Sequence, residues 1–277
     1  MSSILTNNSA IVALQTLKSI NSNLAKTQSE ISTGKSVATA KDNAAIWATA
    51  KIMEGQQGGY KVVQSQLNVA EATVATARQG AERVTELLIE IEKLVIGATN
   101  ESADHAKIGT DVAEKFKQIK NIIDSTSMNG VNLLDGEGTF SVLVSLTKTE
   151  DDTADMFAVA NVNLAEHLGD DTAPFTITDA ASARTALHED DTGIKALINT
   201  AAQAAADLGS AGKRISDQAN FVSQLADSLQ IGVGSLVDAD MEEASARLQA
   251  LQTQQQLGIQ SLSIANQAPQ AILSLFR

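Results

Sequence analysis

The stretch Ala244–Phe276, ASARLQALQTQQQLGIQSLSIANQAPQAILSLF, decides the fold, because no charge interrupts the chain between Arg247 and Arg277. Alternating steps of four and three pick out Ala244, Leu248, Leu251, Gln255, Gly258, Leu262, Ala265, Pro269, Ile272 and Phe276. That is a coiled-coil seam, apolar along one face, with glutamines over much of the rest. Each large side chain on such a stripe gains about 1.5–3 kcal/mol when buried. A lone helix cannot bury its own stripe, so this segment must dock on something.

Outward from it, the same rhythm recurs three times. Ala10, Ala13, Leu17, Ile20, Leu24, Thr27 and Ile31 form a seam near the other terminus, with Gly34 as its stop. Leu67, Ala70, Val74, Ala77, Ala81, Val84, Leu88, Ile91 and Val95 form a longer one. Leu208, Ala211, Ile215, Gln218, Val222, Leu225, Leu229, Gly232 and Leu236 form the fourth. Asp42 is expected to cap a helix through Ile46, Trp47 and Met53, with a break near Gly55, Gly58 and Gly59.

Between the long seams the period changes. A shorter helix through Ile108, Val112, Phe116, Ile119 and Ile123 ends at the turn signal Ser127-Met128-Asn129-Gly130. Phe140, Val142 and Val144 alternate with polar residues, as do Met156, Ala158, Ala160 and Val162, which predicts a small hairpin around Glu150-Asp151-Asp152. Phe175 to Thr178 reads as another short extended piece, and Asp179 starts a helical stretch interrupted near Asp190 to Gly193.

The fold class is therefore mainly α: a long antiparallel helical bundle or coiled-coil rod with a small β-hairpin region at about 131–178. The N- and C-terminal helices are expected to pair. Residues 1–41 plus 238–277 would form one domain and 42–237 a second. Only 3% of residues are aromatic and two are proline, a composition that suits long helices packed through small side chains. The formal net charge of −13 argues against a nucleic-acid partner or an anionic membrane surface. With no cysteine, disulfides and thiolate metal sites are excluded. The N-terminus lacks the pattern of a cleaved signal peptide, and no run of eighteen apolar residues spans a membrane.

Several short motifs resemble those of the bacterial flagellins. Ile31-Ser32-Thr33-Gly34-Lys35 with Ala40-Lys41-Asp42-Asn43-Ala44-Ala45 is similar to the family's L-S-S-G-K…A-K-D-D-A-A signature. Asn129-Gly130-Val131-Asn132-Leu133-Leu134-Asp135-Gly136 resembles N-G-x-x-L-L-D-G. Ala265-Asn266-Gln267-Ala268-Pro269-Gln270 with Leu273-Ser274-Leu275-Phe276-Arg277 resembles A-N-Q-x-P-Q…L-S-L-L-R. Asn43-Ala44-Ala45-Ile46-Trp47 looks like the alphaproteobacterial variant, and the family's variable outer domains are absent.

The resemblance implies an extracellular structural subunit of the flagellar filament, an open helical homopolymer exported by the flagellar type III apparatus without a cleaved signal. The terminal helices would line the filament core and the middle segment would form the adjoining rod domain. Polymerisation seams would then be carried by Leu17, Ile20, Leu24, Ile31, Leu248, Leu251, Leu262, Ile272 and Phe276. Terminal segments in this family are commonly unfolded until assembly, which implies stripes without a partner in the free subunit. Implied partners are further copies of the chain, the hook-associated junction and cap proteins, and an export chaperone. Arg83 and Leu87 match positions read by an innate immune toll-like receptor. Thr85 replaces that motif's second arginine, and Asp111 stands where a glutamate contact lies, so weak activation is implied. The plainer role for Arg83, Leu87 and Asp111 is a subunit contact.

No catalytic, cofactor or metal site is expected. His188-Glu189-Asp190-Asp191-Thr192 has threonine where H-E-x-x-H needs its second zinc ligand. The Asp-Asp-Thr runs at Asp151, Asp170 and Asp190 lack a twelve-residue calcium loop and read as turns. Two rivals share the helical pattern: a hook–filament junction protein, and a secreted coiled-coil adaptor that would form oligomers of fixed size.

Overall fold

A computed structural model describes residues 7–136, 139–148, 154–168, 174–188 and 193–275. Its order is α1 (Asn8–Thr33), α2 (Ala44–Ala98), α3 (His105–Ser125), β1 (Thr139–Lys148), β2 (Ala154–Ala160), α4 (Ala165–Leu168), α5 (Ala180–His188), α6 (Ile194–Val237) and α7 (Met241–Leu275). The chain divides into two compact units, Met1–Gly55 with Ser228–Arg277, and Gln56–Asp227. Both boundaries fall inside long helices, α2 and α6.

The second unit holds the larger core. All nine predicted seam residues from Leu67 to Val95 are buried. Val112, Phe116, Ile119 and Ile123 bury the predicted face of α3, and the Phe116 ring meets Phe175 edge-on at 5.6 Å. Helices α2 and α6 approach closely because α6 presents glycine there. A Cβ built on Gly212 would touch Val74, and one on Gly209 would touch Arg78, each at 3.6 Å. Lys115 Nζ donates to Glu90 and ties α3 to α2; it also holds the Glu90 carboxyl below its ordinary pKa.

The predicted hairpin is present as antiparallel β1 and β2, paired from Thr139–Ala160 to Leu143–Met156. Its expected turn at Glu150-Asp151-Asp152 lies outside the described residues. Three contacts seat the hairpin on helices of the same unit. Leu146 fills the space over Gly59, Gln218 Nε2 donates to the Val144 carbonyl at 2.9 Å, and the Arg214 guanidinium lies 4.2 Å from the Phe157 ring centre.

Four expectations need correction. The glycines at 55, 58 and 59 do not break the chain: α2 runs unbroken for 55 residues. A helical glycine costs about 1 kcal/mol against alanine, and packing along the long apolar stripe outweighs that. The cap of α2 is Asn43, whose Oδ1 accepts from the Ile46 amide, whereas Asp42 accepts from the Thr39 amide and hydroxyl. On α6 burial departs from the strict register after Ile215: Ala219, Ala226, Val233 and Val237 are buried where that register names Gln218, Leu225, Gly232 and Leu236, while Val222 is buried as expected. A straight helix has 3.6 residues per turn and drifts off a strict heptad, and α6 follows the drift. Phe175 to Thr178 pairs with no strand among the described residues; it contributes buried Phe175 and Ile177 from irregular backbone.

Glycine substitutions should separate these effects. Gly58→Ala, with open space around it, should raise stability by about 1 kcal/mol. Gly80→Ala should lower it by about 1–3 kcal/mol, because the new Cβ would lie 2.7 Å from Thr126 Oγ1. Urea unfolding midpoints of the two variants should therefore move in opposite directions.

Candidate assembly surface

The first unit is built on the two terminal seams. Helix α1 starts at Asn7, whose side-chain oxygen accepts from the Ala10 amide while its Nδ2 donates to the Ala265 carbonyl at 2.7 Å. One residue therefore caps α1 and holds α7. Gln255 Nε2 donates to Asn21 Oδ1 at 2.7 Å, and Gly258 faces Leu17 and Ile20. At the far end Lys35 bridges to Asp238. Residues 7, 21 and 35 thus meet 265, 255 and 238, so the helices run antiparallel.

The junction at that end is stitched by backbone. Gly34 ends α1 in the left-handed region (φ 70°), its amide donating to Glu30. The Ser36 amide and hydroxyl both donate to the Val237 carbonyl, and the Ala239 amide donates to the Gly34 carbonyl. A small core of Ala50, Val233 and Val237, flanked by Val37, Ile46, Met53 and Leu236, packs beside it. Trp47 is half-buried, as a packing residue would be.

The candidate polymerisation residues separate on this geometry. Leu17, Ile20, Leu24, Ile31, Leu248 and Leu262 are half-buried and Leu251 is buried, all on the face where α1 and α7 meet. Within one chain, then, each seam already has the other as partner. Ile272 belongs to a part of α7 whose side chains are outside the described residues, and Phe276 is outside them altogether. Other aliphatic side chains of these two helices stay exposed: Ile11, Val12 and Leu14 on α1, with Leu257, Ile259 and Ile264 on α7, at 54% to 70% exposure. Val12 and Ile259 each lie about 160° round the helix from Leu14 and Leu257, so the six do not share one face. Ile11 and Leu14 are three residues apart and Leu257 and Ile264 seven, so each pair repeats at helical spacing. Stepping by four and three along one register passes over these residues.

In the other unit, Arg83 is exposed and pairs with Glu86, and Asp111 is exposed on α3. Leu87 is only 1% exposed and belongs to the core, which corrects its placement on a receptor-facing or subunit-facing surface. It follows Glu86 and precedes Leu88 on a helix buried along two adjacent rows, a width that a single-seam reading does not register. Among the described residues no three His, Cys, Asp or Glu side chains cluster as metal ligands, and no helix is long and apolar enough to cross a membrane. His188 is exposed; its acidic neighbours, and the Asp-Asp-Thr runs at Asp151, Asp170 and Asp190, lie outside the described residues.

Comparison with known proteins fits this arrangement. The family model for the bacterial flagellin N-terminal helical region matches residues 4–139, and that for the C-terminal helical region matches 192–276. The chain belongs to the bacterial flagellins. It is 39% identical to a flagellin of Brucella melitensis over the full length of both. Against flagellin FljM of Caulobacter vibrioides it is 38% identical, covering all of this chain and 99% of that one. Flagellin C of Rhizobium meliloti is 37% identical, again over both whole chains. A crystal structure of Bacillus cereus flagellin superposes at a TM-score of 0.47, with 17% identity, over 57% of this chain and 88% of the other. As a flagellin, the chain is a structural subunit of the extracellular flagellar filament that assembles with its own copies, and it is not an enzyme. The adaptor reading is thereby set aside.

Two outcomes follow from the first unit. Gly258→Val should force α1 and α7 apart at Leu17, since even a bare Cβ there lies 3.1 Å from Leu17 Cδ1. A loss of about 1–3 kcal/mol should appear as reduced helicity at a given temperature. The Thr39 amide and hydroxyl hold the Asp42 carboxyl below its ordinary pKa. That contribution is fully present above the ordinary aspartate range and is lost as pH falls through the lowered value. The Thr39 amide resonance should titrate with that low midpoint, and the step should vanish in Asp42→Asn.

Proposed function

We propose that the terminal segments, 1–41 with 238–277, form the inner, core domain of the filament subunit, and that residues 42–237 form its rod domain. The observation that carries this reading is the set of exposed aliphatic residues on the α1–α7 pair, Ile11 with Leu14 on one side of α1 and Leu257 with Ile264 on one side of α7, a helix with no charge beyond Arg247. Water is a poor neighbour for six large aliphatic side chains, and each gains about 1.5–3 kcal/mol once covered. Copies of the same chain supply the cover. A contact between unlike faces of successive copies closes on nothing and so propagates into a filament.

In this reading the intrachain seam and the exposed aliphatic residues have different tasks. Leu17, Ile20, Leu24, Ile31, Leu248, Leu251 and Leu262 fix the α1–α7 pair, with Ile272 and Phe276 continuing the α7 heptad. Ile11, Val12, Leu14, Leu257, Ile259 and Ile264 then meet the next copy. The subunit leaves the cell through the flagellar type III apparatus without losing a signal peptide, accompanied by an export chaperone, and adds beneath the cap beyond the junction proteins. The exposed charges of Arg83 and Asp111 suit a contact between subunits, with weak recognition by a toll-like receptor as a secondary property. Buried Leu87 then supports that surface from beneath.

Elongation on sheared filament seeds, followed by electron microscopy, tests the division of tasks. Leu257→Asp with Ile264→Asp should leave the monomer's helicity unchanged and stop elongation. Removing residues 248–277 should stop it as well. Normal fibre growth by either protein overturns the proposal.

A further inference from the structure

The turn that follows α3 combines three properties that are found together nowhere else in the chain. Asn129 is the one non-glycine residue with positive φ among the described residues, at 52°, and Gly130 follows at 78°. Both are exposed. Met128 and Val131 close the turn through reciprocal amide-to-carbonyl hydrogen bonds of 2.9 and 3.0 Å, as in a tight turn with both central residues left-handed. Of all the asparagines in the sequence, Asn129 alone precedes glycine. Without a Cβ, the Gly130 nitrogen is open to approach. The Asn129 side chain makes no hydrogen bond among the described residues that would hold it away.

We propose that the Asn129–Gly130 peptide is a site of spontaneous covalent modification, at which asparagine is converted to aspartate and isoaspartate. The Gly130 amide nitrogen, losing its proton to base, attacks Asn129 Cγ. The new N–Cγ bond closes a five-membered imide, and the C–N bond of the side-chain amide breaks, releasing ammonia. Water then opens the ring at either carbonyl. Opening at Cγ gives aspartate, and opening at the main-chain carbonyl gives isoaspartate. The sum is asparagine plus water giving an acid plus ammonia, with no oxidant or cofactor. The closed turn acts as the brake, because its two hydrogen bonds must break before Gly130 can swing onto Cγ; the rate follows the open population.

Asn8 and Asn21, which precede serine, are held in helical geometry by α1 and lack this freedom. Conversion at Asn129 reaches the core. Isoaspartate lengthens the main chain by one methylene between Met128 and Val131, so both closing hydrogen bonds cannot persist. The next residues, Asn132, Leu133 and Leu134, anchor this segment: Asn132 Nδ2 donates to the Ile123 carbonyl at 2.7 Å, and both leucines are buried.

Purified full-length chain is incubated in mildly alkaline buffer, digested and read by mass spectrometry, with isoaspartyl methyltransferase labelling to mark the rearranged product. The peptide containing Asn129 should acquire the acid mass and the label before any other asparagine does. Gly130→Ala should slow that conversion by about an order of magnitude, since a Cβ crowds the attacking nitrogen. Chain unfolded in urea should convert faster than folded chain, because the brake is gone. Conversion appearing first at Asn8, Asn21 or elsewhere in the folded chain overturns the proposal, as does an absence of conversion at Asn129. Equal rates in folded and unfolded chain overturn the role of the turn.

Discussion

The antiparallel contact between α1 and α7 is the constraint on which the terminal unit depends. Neither helix can bury its own apolar seam when alone in water, and α7 has no charge beyond Arg247 to hold it in solvent. Pairing covers one stripe on each. Small and polar residues set the register: Gly258 admits Leu17 and Ile20, Gln255 meets Asn21, and Asn7 reaches the Ala265 carbonyl. The large aliphatic groups supply most of the stabilisation, and the few hydrogen bonds choose among the ways of aligning two similar stripes.

Much of this was legible in the sequence because long helices repeat one simple signal many times. Nine consecutive seam positions of α2 are buried, and seven on each terminal helix turn inward from solvent. Hairpin strands with alternating residues were equally plain. Signals of single residues were weaker. Asn43 and Asp42 are adjacent, both good caps, and only the local path of the chain decides between them. Glycines at 55, 58 and 59 looked like punctuation, yet a helix gripped by tertiary contacts absorbs them. The drift of α6 after Ile215 lay beyond any strict heptad count.

The proposed assembly surface was legible only in part, for a physical reason. Periodicity finds the most regular stripe, and the most regular stripe is the one a chain satisfies first, within itself. Residues left for another molecule occupy whatever adjacent face remains, and their spacing carries no mark of precedence. Ile11, Leu14, Leu257 and Ile264 became visible once the partner of each seam was known. Leu87 shows the converse: its motif position suggested a surface, and its place on a helix covered along two rows put it inside.

The bond from Asn7 to Ala265 joins residues 258 positions apart, and the Ser36–Val237 contact spans 201. Contacts of such long separation form late, because the intervening chain must first be made and gathered. During synthesis α1 emerges long before α7 and waits for most of the chain between them before its mate exists. The terminal unit therefore cannot be completed cotranslationally. For that whole interval the apolar stripe of α1 has no cover from α7 and lies open to whatever binds such stripes.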